Sequence, residues 1–220
     1  MLNEAALLAT RRGITQITME QVDEAIDRAF LGVTSRRHIM SEEERRVTAY
    51  HEAGHALVAL CTKGASPPHR VTILPRGGTA GHCTMLDERE PLMPSKSAML
   101  AQMAVSVGGW AAEVLVFGES TWGSDSDLKK MNRIARAMVC DQGMSDELGP
   151  ATPIESPGSD GSASPLPEEA VRAIRHLVDQ ATALARSTLT VERDVLERLA
   201  AALLERETLT RAEIEALRAG

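Results

Sequence analysis

Apolar side chains recur every three to four residues along most of this chain, the spacing of helices that bury one face. A first helix is predicted over 3–12, stopping at Gly13. Thr18-x-x-Gln21 reads as a capping box opening a second, which carries Val22, Ala25, Ile26 and Ala29 on one face and ends at Gly32. Ser41-x-x-Glu44 caps a long third helix running to about 62. Pro67-Pro68 stops it, and the period changes to two: Arg70-Val71-Thr72-Ile73-Leu74 alternates and reaches Pro75-Arg76-Gly77-Gly78, with 82–86 as the return strand of a hairpin. Residues 95–117 are apolar and helical around Gly108-Gly109, and Gly118 closes them. Ser124-x-x-Asp127 opens a helix to about 141, with Leu128, Met131, Ile134, Ala135 and Met138 on one face.

The stretch 149–167 is rich in Pro, Ser and Gly and nearly free of large apolar residues, so it predicts a mobile loop. Three further helices follow, over 168–187, 191–206 and, behind the box Thr210-x-x-Glu213, 211–219. Leu196, Leu199, Leu203 and Leu204 fit a core or a subunit interface equally well. The expected fold class is mainly α, with a small β-hairpin beside the third helix.

Composition sharpens this. Aromatic residues are only 2% of the chain while hydrophobic residues are 43%, a balance that suits close-packed helices better than stacked sheets. A net charge of −7 excludes a dedicated nucleic-acid binder, which needs Lys and Arg against phosphates. Cys61, Cys83 and Cys140 are scattered and odd in number, which suits an intracellular protein and offers no CxxC zinc site. The least charged stretch, 97–112, meets Glu113 before it reaches spanning length and reads as a buried helix. No basic-then-apolar leader follows Met1, and no Walker A loop occurs, so ATP cannot be held in that way by these residues.

One constellation carries chemistry. His51-Glu52-Ala53-Gly54-His55 is H-E-x-x-H inside the third helix. At 3.6 residues per turn both imidazoles stand on one face and reach a single zinc. Glu52 lies about 100° around the helix, off the metal but close enough to take a proton from water that zinc activates. Hydrolysis of a peptide bond is the natural reaction. A catalytic site needs a third protein ligand, and Asp127, Asp125, Glu113, Asp87 and His82 are candidates. Asp127, in the first turn of a capped helix, leads on position, with Glu113 next. His82 and Cys83 are adjacent on a strand, point to opposite faces and do not share a metal.

These residues resemble the protease domain of the FtsH family, the membrane-anchored ATP-dependent zinc metalloproteases. The similarity runs through most of the chain: Asn3-Glu4-Ala5-Ala6-Leu7 is similar to the end of that family's ATPase lid, Thr48 to Ala56 to its zinc helix, and Val71 to Gly77 to its active-site strand. Gly108-Gly109 with Ala112-Glu113, and Gly123 to Asp127, match later landmarks. The resemblance implies that His51, His55 and Asp127 hold one zinc per chain and that Glu52 is the catalytic base. It further implies that the strand containing Val71, Thr72, Ile73 and Leu74, with its partner, receives substrate as an added strand, tolerant of sequence.

By the same resemblance, 1–35 would be the end of an ATPase lid plus a linker containing Arg36-Arg37-His38 at its border, and 36–220 the metallopeptidase domain. ATP would act through an upstream module absent from these residues, and the parent protein would be a membrane-associated hexamer with this domain on the cytoplasmic side or its organelle equivalent. The expected substrates are unfolded or membrane proteins, and the piece itself is expected to be soluble. Several positions depart from the family: Trp110 for a usual Arg, Trp122 for a usual Thr, Ser126 for a usual Asn, and His82-Cys83 in the return strand. They frame the alternative of an inactive or weak pseudo-protease that serves as an assembly module. Trp110 is expected to pack or to meet a neighbouring subunit.

Overall fold

The computed structural model describes residues 2–31, 40–75, 79–86, 92–151 and 166–220. The expectations placed on Gly32, Arg36-Arg37-His38, Arg76 to Gly78, Asp87 and most of the 149–167 loop lie outside them.

Helix α1 (Leu2–Arg11) and α2 (Met19–Leu31) close on each other around Ala5, Leu8 and Ala25. Half of the Thr18 box is formed: the Thr18 N–H and Oγ1 both donate to Gln21 Oε1, at 3.0 and 2.7 Å, while the Gln21 N–H donates to the Thr18 carbonyl rather than to its hydroxyl. Helix α3 (Glu42–Cys61) is the axis of the remaining fold. At its start Glu44 N–H donates to Ser41 Oγ and Ser41 N–H to Glu44 Oε2, the reciprocal box that the sequence predicts. From Thr48 to Ala59 every residue of α3 is buried, so this helix is covered on all sides rather than along a stripe.

Helix α4 (Lys96–Phe117) packs across α3 and ends at Gly118, whose φ of 81° is the left-handed cap that glycine adopts without strain. Close approach of the two helices depends on small residues: a Cβ on Gly54 would lie 2.5 Å from the Gly108 carbonyl oxygen and 2.6 Å from Ala112 Cβ. Among the described residues α4 is the one helix long and apolar enough to cross a membrane, so Glu113 does not cut it short of spanning length as the sequence reading holds; it is largely buried here, as that reading does expect. Helix α5 (Asp125–Cys140) covers α4 with Met131, Ile134, Ala135 and Met138. Helices α6 (Glu168–Val191) and α7 (Arg193–Arg206) complete the core, α7 against α3 and α6 against α4. Leu196, Leu199 and Leu203 are fully buried in that core, and Leu204 is half-buried at its edge. Each such leucine contributes about 1.5–3 kcal/mol of burial.

The sheet is larger than the predicted hairpin. Strands β1 (Pro68–Thr72) and β2 (His82–Met85) pair antiparallel with Val71 opposite Cys83 and Thr72 opposite His82. A third strand, β3 (Thr208–Thr210), pairs on the other edge of β1, with Val71 opposite Leu209. The order is β2-β1-β3, and β1 is central. Thr72 Oγ1 lies 2.8 Å from Thr208 Oγ1, and the Ile73 N–H donates to Glu207 O. Helix α8 (Arg211–Ala219) then starts at the formed Thr210/Glu213 box.

Candidate metal centre

Helix α3 presents His51 and His55 one turn apart, and α5 presents Asp127 from its first turn. His51 Nε2 lies 3.1 Å from His55 Nε2, and Asp127 Oδ2 lies 3.2 Å from the first and 3.3 Å from the second. Tetrahedral coordination with bonds of 2.0–2.1 Å places neighbouring ligand atoms about 3.3 Å apart. The triangle therefore already has the size of one face of a zinc tetrahedron.

The hydrogen bonds behind the ligands fit the same purpose. His51 Nδ1 donates to Glu113 Oε1 at 2.5 Å, and His55 Nδ1 donates to the Val105 carbonyl at 2.7 Å. With both protons held on Nδ1, both Nε2 atoms carry lone pairs, and Asp127 adds a carboxylate oxygen. Three acceptors facing one another repel unless a cation lies between them, so this donor set fits zinc. In the metal-free chain a proton on His51 takes the place of that cation, and zinc binding would displace it. Burial disfavours charge on His51, but hydrogen bonds to Asp127 and Glu113 and the charge of Glu52 outweigh it and push the imidazole up to about 10. Burial likewise opposes ionisation of Asp127, yet the two histidines hold its carboxyl well below the usual range.

Glu113 is only 1% exposed and is occupied on three sides. Besides His51 it accepts from the Thr121 N–H at 2.5 Å and from Ser124 Oγ at 3.2 Å. Its position in α4 thus orients one ligand and ties down the 3-10 turn Trp122–Ser124 that leads into α5. Of the other candidates, Asp125 is exposed and pairs with Lys129, and His82 lies on β2 outside the ligand triangle. Glu52 is buried beside the ligands. Burial raises its pKa, and the nearby His51 and His55 pull it back.

These groups line a cleft of about 880 Å³, bordered by the start of α3, by Thr79 to Cys83 and Met85, and by Thr121 to Gly123 and Asp125 to Asp127. Two glycines hold it tight. A Cβ on Gly109 would lie 2.5 Å from His51 Cε1, and one on Gly81 would lie 3.0 Å from Glu52 Cγ. The predicted role of Gly108-Gly109 was a break or tight packing in α4; contact with a ligand ring needed the structure.

Residues 38–217 match the model of peptidase family M41. The chain belongs to peptidase family M41. It is 41% identical over 225 residues to ATP-dependent zinc metalloprotease FtsH 1 of Thermoanaerobacter sp. strain X514, covering 98% of this chain and 37% of that relative. The FtsH proteins of Rhodococcus erythropolis and Mycobacterium tuberculosis H37Rv are each 41% identical, over 100% and 99% of this chain and over 27% and 30% of their own lengths. The chain thus spans about a third of these curated relatives. Within this M41 chain, none of the departures belongs to the ligand triangle, but most are close to it: Trp110 packs against the core, whereas Trp122, His82, Cys83 and Ser126, the neighbour of Asp127, line the cleft.

Proposed function

We propose that this chain is a zinc-dependent endopeptidase, the protease part of an FtsH-like ATP-dependent protease, with His51, His55 and Asp127 as zinc ligands and Glu52 as catalytic base. The observation that carries it is the convergence of three acceptor atoms within 3.3 Å, next to a buried glutamate in an open cleft. Held there, zinc supplies Lewis acidity toward a water and a carbonyl. Glu52 accepts the proton that the attacking water loses and delivers it to the leaving amine nitrogen. Glu113 and the Val105 carbonyl keep both imidazoles in the tautomer that leaves Nε2 free to bind metal.

Substrate would enter as an extended strand. The expectation centred on Val71, Thr72, Ile73 and Leu74 shifts to the partner strand, because β1 has β2 on one edge and β3 on the other over 70–72. Val71, Thr72 and Ile73 are also buried. Among the described residues no strand pairs with the outer edge of β2, whose residues His82, Cys83 and Met85 line the cleft, and that edge is the one proposed to take an added chain. Main-chain pairing there would accept varied sequences, as degradation of unfolded proteins requires.

The similarity to FtsH proteins supports the wider reading: residues 1–35 as the end of an ATPase lid with its linker, 36–220 as the peptidase domain, an ATPase module and membrane anchor elsewhere in a longer parent, and a hexameric assembly. The test is direct. Glu52→Gln is expected to retain about one zinc per chain while degradation of casein falls at least about a hundredfold, and Asp127→Ala is expected to lose zinc. Wild-type protein that binds zinc but leaves casein intact would support the pseudo-protease instead.

A further inference from the structure

We propose that Trp122 determines specificity in this cleft, its indole receiving a large apolar side chain of the polypeptide being cut; the inference rests on the peptidase reading above. Trp122 lines the cleft that contains His51, His55, Glu52 and Asp127. It is 90% exposed, whereas Tyr50 is buried and Trp110 and Phe117 are half-buried. Of the other large apolar residues of the cleft, Met40, Val47 and Met85 are half-buried and Val105 is buried, and apart from the small Ala80 its exposed side chains are otherwise polar, with Glu43, Glu44, Asp125 and Lys130.

The indole has a rigid mount. Thr121 N–H and Ser124 Oγ, on either side of it, both donate to the buried Glu113 carboxylate, and Gly123 N–H donates to Thr121 Oγ1 at 3.3 Å. The same carboxylate holds His51, so the backbone that carries the indole is fixed relative to that residue. A tryptophan has two side-chain torsions to lose and a large apolar face to offer, which makes it an effective anchor once its backbone is held. An unfolded polypeptide supplies the matching group, because Leu, Phe and Tyr side chains hidden in folded proteins are displayed along it. A chain paired to the β2 edge would pass through the same cleft, its backbone read by β2 and one side chain by Trp122.

The experiment uses the full zinc-loaded chain and two quenched-fluorescence unstructured peptides that differ by Leu or Ser at one central position. Wild type is expected to favour the Leu peptide. Trp122→Ala should lower kcat/KM for that peptide about tenfold and change the Ser peptide less than about twofold, with zinc content unchanged; Trp122→Phe should restore most of the loss. Equal losses on both peptides, no loss on either, or a change of oligomeric mass with preference intact would overturn the proposal. Cleavage of neither peptide by wild type would count against the peptidase reading, and a second readout then decides the role of Trp122. The chain has two tryptophans, so Trp110→Phe with Glu52→Gln leaves one reporter in a non-cleaving protein. A blue shift of its emission on adding the Leu peptide and not the Ser peptide supports the proposal, and an unchanged emission overturns it.

Discussion

Gly109 in α4 packs its backbone against the imidazole of His51 in α3, so closely that a Cβ would sit 2.5 Å from both Cε1 and Nε2 of the ring. Any side chain there must move either the ligand or the helix. Gly109→Ala is therefore expected to weaken zinc binding at least about tenfold, the scale of changes that misorient a ligand, and to do so more than it lowers Tm. Competition with a colorimetric chelator checks it; unchanged affinity would show that the ring has room to shift.

Gly81 makes the corresponding contact on Glu52, where a Cβ would lie 3.0 Å from Glu52 Cγ and 2.7 Å from the Thr72 carbonyl oxygen. Gly81→Ala should leave zinc content at the wild-type level and reduce kcat about tenfold or more, as misplacement of a catalytic base does. Parallel loss of metal would contradict that separation.

Glu113 is the hub between the ligand and the α5 entry. Glu113→Ala removes the acceptor for His51 Nδ1, Thr121 N–H and Ser124 Oγ together. The expected result is a loss of stability of about 1–3 kcal/mol from unsatisfied buried donors, with zinc affinity reduced about 10–100-fold. Urea unfolding of metal-free protein isolates the first effect and chelator competition the second.

The last helix carries a pH dependence of its own. Glu213 Oε2 accepts from the Thr210 N–H at 2.8 Å and from Thr210 Oγ1 at 2.7 Å, and these bonds, the backbone one first, lower its pKa. A carboxyl lowered on folding adds stability above its unfolded pKa and loses it as pH falls through the folded value. Glu213→Gln should accordingly lower Tm at neutral pH and make little difference in acid well below the ordinary carboxylate range. A constant gap in Tm between the two pH values would remove the carboxylate from the explanation.

The two histidines were legible because a helix has one period: Ser41 and Glu44 set the start of α3, and four residues then separate two side chains on one face. Helices α4 and α8 and the second box were legible for the same local reason. Ser124 was not. It reads as a cap for α5, but it makes no side-chain cap bond and instead spends its hydroxyl on Glu113, a contact eleven residues back that no local pattern announces. Glu113 likewise stands behind His51 rather than in the triangle of His51, His55 and Asp127, a distinction made by Nδ1 versus Nε2 and not by spacing. Strand β3 was missed because three residues between two capped helices look like a connection. Only Leu209, fully buried between Thr208 and Thr210, hinted at pairing.

The pairing of Thr72 with Thr208 joins residues 136 positions apart. During synthesis, His51, Glu52, His55, Glu113 and Asp127 all leave the ribosome well before Thr208–Thr210 does. Until then β1 lacks one neighbour and α7 is not yet in place against α3. A nascent chain thus carries all five of these groups before it carries the strand that completes the sheet behind them. Contacts of such long range form late, so these five groups would be aligned only after Thr208–Thr210 has joined β1, and a chain cut short of that strand would hold them on an incomplete sheet.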